Sequence, residues 1–77
     1  MPKYNRYIIT PHAIQRKQQR NISEELIKRV IESYDIEYPQ KRGKRKFSKI
    51  IDGDKLYVVI RESSNGKTAY IITTYWT

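Results

Sequence analysis

The single histidine of the chain, His12, lies four residues before Arg16 and eight before Arg20. At helical spacing these three side chains fall along one stripe. Two guanidinium groups disfavour the charged form of a nearby imidazole, so we expect His12 to be neutral near pH 7 and able to act as a general base. Arginine binds phosphate through paired hydrogen bonds. The pattern therefore predicts a site that acts on a phosphodiester.

Metal-independent cleavage of RNA needs this equipment. A base removes the proton of the ribose 2′-hydroxyl, cations stabilise the charge on the phosphate, and an acid protonates the leaving oxygen. Residues elsewhere in the chain are candidates for the acid or for phosphate contacts: Thr73, Thr74, Tyr75 and Lys46. The competing interpretation is structural, with His12 capping or packing at a helix start, and the residues alone leave both open.

Neither a metal nor a cofactor is expected. One histidine, no cysteine and scattered acidic residues do not make a zinc site. Metal-dependent nucleases usually need clustered carboxylates, and Asp52 and Asp54 are better explained as part of a turn. The chain also lacks a glycine-rich phosphate loop and a serine in the context of a catalytic triad.

The charge of the chain favours nucleic acid as its partner. Sixteen lysines and arginines against eight acidic residues give a formal net charge of +8 in 77 residues. Basic residues without any acid fill two segments, residues 1–21, which include Lys3, and residues 41–49. We predict nucleic-acid contacts from these segments: Arg20, Lys41, Arg42, Lys44, Arg45, Lys46 and Lys49. The alternative for the second segment is a solvated loop around Gly43.

The length predicts a single domain, residues 1–77. Apolar runs are short, such as Val58 to Ile60, whereas a membrane span needs about 20 apolar residues. No signal-peptide hydrophobic region is present at the N-terminus. The absence of cysteine fits a reducing compartment. We therefore expect a cytoplasmic protein with no membrane partner.

The first predicted helix carries His12. Thr10 is a favourable N-cap and Pro11 suits the first helical position, so the helix should run from there to about Arg20. Asn21 tolerates the left-handed conformation that ends many helices. This helix would place the histidine in its first turn.

A second helix should begin after Ser23, which is a good N-cap, and end near Tyr34, before Pro39 forbids continuation. Acidic residues in its first turn suit the helix dipole. Its apolar side chains recur at helical spacing and are Leu26, Ile27, Val30, Ile31 and Tyr34.

Beyond Pro39 the pattern becomes alternating, as in strands. We predict strands over residues 44–51, 55–62 and 67–76, joined by turns at 52–54 and 63–66. Residues 7–9 are either a brief strand or a tucked-in arm. The expected fold is α+β, with two N-terminal helices packed on an antiparallel β-sheet of three to four strands.

The two ends of the chain resemble small uncharacterised domains with a RelE-like fold. The first match is Ile-Thr-Pro-His-Ala-x-x-Arg from Ile9, continuing through Arg-Asn-Ile-Ser-x-Glu at residues 20–25, and the second is Ala-Tyr-Ile-Ile-Thr-Thr-Tyr at residues 69–75. These domains are similar to the RelE, ParE and BrnT toxin superfamily and to the barnase/EndoU/colicin nuclease fold. One departure is Asn21, which stands where the family usually has glycine.

This resemblance implies an endoribonuclease toxin, which acts on RNA that is structured or ribosome-bound and is neutralised by an antitoxin protein. It implies catalytic roles for His12, Arg16, Thr73 and Tyr75. Two alternatives stay open. One is a non-enzymatic module that binds nucleic acid through its basic face, with tyrosines as stacking groups. The other is a ParE-like toxin that acts on gyrase, because fold alone does not decide activity.

Overall fold

The described part of the protein, residues 4–77 of a computed structural model, contains two helices and five strands. Lys3, which belongs to the first basic segment, lies outside these residues. The helices are α1 (Pro11–Gln19) and α2 (Glu24–Ser33). The strands are β1 (Arg6–Ile9), β2 (Ile36–Pro39), β3 (Lys44–Ile51), β4 (Asp54–Glu62) and β5 (Thr68–Trp76).

The five strands form one mixed sheet in the order β1-β5-β4-β3-β2. Neighbouring strands are antiparallel except β1 and β5, which run parallel. The predicted fold, with both helices preceding an antiparallel sheet of three to four strands, is therefore wrong in its strand number, its strand direction and its element order. The fifth strand, β1, pairs with β5 near the other end of the chain. Pairing between residues so distant in sequence cannot be predicted from a local pattern.

Both helices begin where their capping residues indicate. Thr10 Oγ1 accepts a hydrogen bond from the Ala13 amide at 3.3 Å, and Ser23 Oγ accepts one from the Leu26 amide at 3.1 Å. Asn21 takes a φ of 53°, which confirms its left-handed role between the helices. In the part of the chain described, neither helix has the length and apolar character needed to span a membrane.

The hydrophobic core lies on one face of the sheet. The buried side chains of β4 are at alternate positions, Leu56, Val58 and Ile60, and they share the core with Phe47 of β3. The apolar stripe of α2 covers them with Ile27, Val30 and Ile31. The intervening side chains of these strands therefore point to the opposite face, which we call the open face because neither helix covers it.

The helix α1 lies along the edge of β5 that β1 leaves uncovered. Thr10 Oγ1 donates a hydrogen bond to the Ile71 carbonyl at 2.7 Å, where the pairing of β1 ends. Farther along, Arg20 Nη1 donates to the Thr74 carbonyl at 2.8 Å, and Trp76 Nε1 donates to the Arg20 carbonyl at 3.2 Å. These contacts fix the position of α1 beside the last residues of β5.

Candidate functional site

His12 and Arg16 meet on the exposed surface of α1. Arg16 Nε donates a hydrogen bond to His12 Nε2 at 3.4 Å, and Arg16 Nη1 donates to Gln19 Oε1 at 3.2 Å. The contact places a nitrogen of the imidazole within hydrogen-bonding distance of a guanidinium N–H on the same face of the helix. One turn of helix thus places a basic nitrogen beside a guanidinium group, as the spacing predicts.

The third residue of the predicted stripe, Arg20, has a structural contact instead. One of its guanidinium nitrogens donates to the Thr74 carbonyl, which ties the end of α1 to β5. The Thr74 side chain is buried, and its hydroxyl donates to the Tyr57 carbonyl at 2.8 Å. Thr74 is therefore closed to a substrate, whereas its neighbour Thr73 is half-buried on the open face.

The predicted catalytic residues fall in two groups. His12 and Arg16 are together on α1, while Thr73 and Tyr75 are on β5, the strand that α1 flanks. Within residues 4–77 no hydrogen bond, ion pair or ring contact joins one group to the other. The structure therefore places the two groups on neighbouring elements with no direct contact between them.

The alternation of β3 divides the second basic segment between the two faces of the sheet. Lys44 and Lys46 occupy open-face positions, whereas Arg45 and Lys49 share the side of the buried Phe47. Lys41 and Arg42 are exposed in the turn between β2 and β3. Residues 41–49, which form one basic cluster in the sequence, are therefore three separate sets of cations in the structure.

Arg45 and Lys49 are engaged by acidic side chains. Arg45 pairs with Glu37 at 2.6 Å and with Glu62 at 3.2 Å, and its Nη1 also donates to the Tyr4 hydroxyl at 3.0 Å. The hydrogen bonds to Glu37 raise the pKa of Arg45 above its ordinary value. Lys49 lies 3.6 Å from Asp35 and donates to a backbone carbonyl at the end of α2. Both cations stabilise the fold and are poorly placed for phosphate.

Three tyrosines from three strands surround Lys46 on the open face. The Lys46 ammonium lies 5.4 Å from the ring centroid of Tyr38, 4.7 Å from that of Tyr57 and 5.6 Å from that of Tyr75. These distances are within the range of cation–π attraction. The rings of Tyr57 and Tyr75 are stacked, with centroids 5.0 Å apart and planes inclined by 14°. We call Tyr38, Lys46, Tyr57 and Tyr75 the tyrosine–lysine platform.

A second layer of contacts holds the platform in place. The Tyr38 hydroxyl lies 3.3 Å from Oγ of Ser48, which is buried beneath the rings. The Tyr38 and Tyr57 centroids are 5.7 Å apart. The hydrogen bond with Ser48, followed by that with Tyr57 and the nearby lysine charges, lowers the pKa of Tyr38 below its ordinary value.

The open face is uniformly basic. Lys55 lies 5.9 Å from the Tyr57 ring centroid, and the register places Lys44 opposite Arg61 on the same face. At the open-face positions of β2 to β5 there is no aspartate or glutamate. Of the residues that sequence reasoning selected, Lys44, Lys46, Thr73 and Tyr75 occupy this face.

Tyr38 and Tyr57 are the platform residues that the sequence analysis did not select. Tyr57 sits at an alternate position of a correctly predicted strand, so its face could have been read from the pattern of β4. Tyr38 belongs to β2, which the sequence analysis did not predict, and its position opposite Lys46 follows only from the register. The platform depends on which strands pair and in what register, and neither can be predicted from the local sequence pattern.

A further cleft lies at the other end of the sheet. It has a volume of about 470 Å³ between α2 and the β3–β4 turn, and its walls include Arg29, Lys49 and Trp76. Of the predicted site residues it contains Lys49 alone. Among the described residues no group of three histidine, cysteine, aspartate or glutamate side chains could hold a metal ion.

The comparisons with known proteins identify a family. The family model that matches is a domain of unknown function, DUF4258, and the match covers residues 9–76. No curated protein and no solved structure matches the chain. The matched residues include α1, the platform and nearly all of the sheet, so the chain belongs to the DUF4258 family.

Proposed function

We propose that the protein is a metal-independent endoribonuclease in which His12 is the general base. The observation that carries the proposal is the 3.4 Å hydrogen bond that His12 Nε2 accepts from Arg16. A histidine side chain that reaches the substrate can act as a general base. The guanidinium group beside it suits the phosphate next to the ribose that loses that proton. His12 is exposed on α1, where RNA can reach it.

The reaction follows from these roles. His12 takes the proton of the 2′-hydroxyl, the 2′-oxygen attacks phosphorus, and the bond to the 5′-oxygen breaks, which leaves a 2′,3′-cyclic phosphate. Arg16 stabilises the charge on the phosphate oxygens. Tyr75 is the candidate acid for the leaving oxygen; its half-exposed ring is on the strand that α1 flanks and lies near the Lys46 ammonium.

Cleavage of purified total RNA in the presence of EDTA tests this proposal. The parent protein should produce fragments with 2′,3′-cyclic phosphate ends, and His12→Ala should cut about 10²- to 10⁴-fold more slowly because a positioned base contributes that much. Gln15→Ala, at an exposed position of the same helix, is the matched control and should cut at the parent rate. Unchanged cleavage by His12→Ala would show that the assigned base is wrong. Loss of cleavage in EDTA would show that a metal is needed.

We also propose that the protein acts in the cytoplasm as the toxin of a toxin–antitoxin pair. The support is the resemblance of residues 9–25 and 69–75 to RelE-like domains. An adjacent gene for a small antitoxin and growth arrest on expression, relieved by His12→Ala, are the expected results. Expression without any effect on growth would contradict this role.

A second candidate function is binding of nucleic acid without catalysis. The observation that favours it is the basic, aromatic open face, which needs no catalytic group to bind a polyanion. Under this alternative, affinity falls steeply with salt and no RNA is cut. His12→Ala separates the two candidates, since it should abolish cleavage under the first and leave binding nearly intact under the second.

A further inference from the structure

We propose that the tyrosine–lysine platform binds single-stranded RNA by stacking an unpaired base on the ring of Tyr75, the end member of the Tyr57–Tyr75 stack, with phosphates held by the surrounding cations. This inference rests on the proposed function for the choice of RNA as the ligand. It concerns the open face and not the His12–Arg16 pair, although Tyr75 belongs both to the platform and to the proposed mechanism. It can also hold if the protein binds RNA without cutting it.

The geometry of the rings supports stacking. Tyr57 and Tyr75 lie nearly parallel on neighbouring strands, and their side chains are half-exposed on a face that neither helix covers. Rings fixed by a sheet lose little freedom when a base adds to the stack. The flat face of a base fits such a ring whatever the base identity, so the platform should have little sequence preference.

The charges on the open face complement a nucleic-acid backbone. Lys44, Lys46, Lys55 and Arg61 face this side, and in residues 4–77 none of them forms an ion pair. The ion pairs of this region belong instead to Arg45 and Lys49 on the opposite side. Carboxylates thus neutralise the cations of the helix-covered face and leave those of the open face for phosphate.

The strand order indicates the path that a bound RNA strand would take across the open face. The platform begins at Tyr38 on β2, crosses Lys46 and Tyr57, and ends at Tyr75 on β5. Beyond Tyr75 the next element is α1, which is joined to β5 through the Thr74 carbonyl. A strand that stacks along this row therefore extends towards the helix that carries His12.

The same geometry selects against duplexes. Bases within a duplex are stacked on one another, and their faces are closed to protein side chains. Single-stranded segments can instead splay their bases onto aromatic rings. We therefore expect the open face to bind a single strand more tightly than a duplex of equal length.

Fluorescence anisotropy with a short labelled 2′-O-methyl RNA tests the inference, because the blocked 2′-oxygen makes cleavage impossible. Tyr75→Leu should weaken binding about 5- to 150-fold, which is the loss expected for one stacked base. Tyr57→Leu removes the ring on which Tyr75 is stacked and should weaken binding in the same direction. Tyr75→Phe keeps the ring and should bind like the parent. If a leucine variant fails to fold, Tyr75→Phe and Tyr75→His still test the inference. Both variants retain a flat ring and should bind like the parent, so loss of binding by either folded variant would contradict stacking.

Two matched controls separate stacking from general effects of charge and exposure. Tyr70→Leu removes an exposed tyrosine on the same face but outside the platform, and should leave affinity nearly unchanged. Lys46→Gln and Lys28→Gln remove the same charge from opposite sides of the molecule, because Lys28 lies on α2. Lys46→Gln should weaken binding more than Lys28→Gln does.

Two results would overturn the inference. One is parent-like affinity in folded Tyr57→Leu and Tyr75→Leu proteins. The other is a duplex that binds as tightly as the single strand. The design also distinguishes this inference from the proposed function. Platform-dependent binding of 2′-O-methyl RNA, together with no cleavage of ordinary RNA, would refute the nuclease and leave the platform standing.

Discussion

At the scale of single residues, cations that look alike in the sequence have different partners. Arg45 and its neighbour Lys46 point to opposite faces of β3. The first is held by two glutamates and a tyrosine hydroxyl, and the second lies among three rings. Lys46 is consequently the one of this pair that can exchange its present contacts for a phosphate.

Arg42 occupies a backbone conformation that arginine rarely adopts. Its φ is 61°, and Gly43 follows with a φ of 73°, so both central residues of the turn are left-handed, as in a type I′ turn. Asparagine is preferred at the first of these positions. Arg42→Asn should therefore raise the free energy of unfolding by about 0.5–1 kcal/mol, measured by urea denaturation.

The matched control for Arg42→Asn is Lys41→Asn. Lys41 is exposed in the same turn and lacks a positive φ, so its substitution should change stability by less than about 0.5 kcal/mol. Equal effects of the two substitutions would mean that charge removal, and not backbone strain, is responsible.

At the scale of the elements, the sequence predicts what is locally encoded. Thr10, Ser23 and Asn21 mark the limits of the helices, and the Asp52–Gly53 turn marks the junction of β3 and β4. The strand β2 was not predicted, and β1 was predicted only as one of two alternatives, because a four-residue strand carries little sequence pattern. Their place depends on pairing with β5 and β3, which is decided in three dimensions.

The candidate site also has a part that local sequence predicts and a part that depends on strand pairing. His12 and Arg16 belong to one helix, and helical spacing predicts their contact. The platform draws its members from four strands, and its tyrosine on β2 depends on a strand that the sequence pattern did not reveal. Alternation along β3 also separates Arg45 and Lys49 from Lys46, a distinction that a count of basic residues misses.

Arg45 joins elements that are distant in sequence. Its guanidinium group contacts Glu37 of β2, Glu62 of β4 and Tyr4 before β1. Arg45→Gln should lower the free energy of unfolding by about 1–3 kcal/mol, because partly buried acceptors lose charge-assisted hydrogen bonds.

Lys44→Gln provides the matched control, since it removes the same charge from the adjacent residue on the other face. It should change the free energy of unfolding by less than about 0.5 kcal/mol. Thermal or urea unfolding of both variants measures the difference. A similar loss in both would indicate that Arg45 contributes only through net charge.

At the scale of the whole molecule, the net charge of +8 is unevenly arranged. The exposed surface of α2 carries Glu24, Glu25 and Glu32, whereas the open face presents cations and rings. A polyanion therefore meets attraction on one side and mixed charge on the other. The open face of the sheet is the basic side, and α1, which carries the His12–Arg16 pair, lies beside the β5 edge of the sheet.

The most direct test of this account is an NMR titration of the ¹⁵N-labelled protein with single-stranded 2′-O-methyl RNA. The account predicts that the largest amide shifts fall on the platform strands, around Lys46, Tyr57 and Tyr75, and on the first turn of α1 around His12. Amides on the exposed surface of α2 should change little. Shifts concentrated on α2, or confined to the Lys41–Gly43 turn, would contradict the assignment of the open face and α1 as the RNA-binding surface.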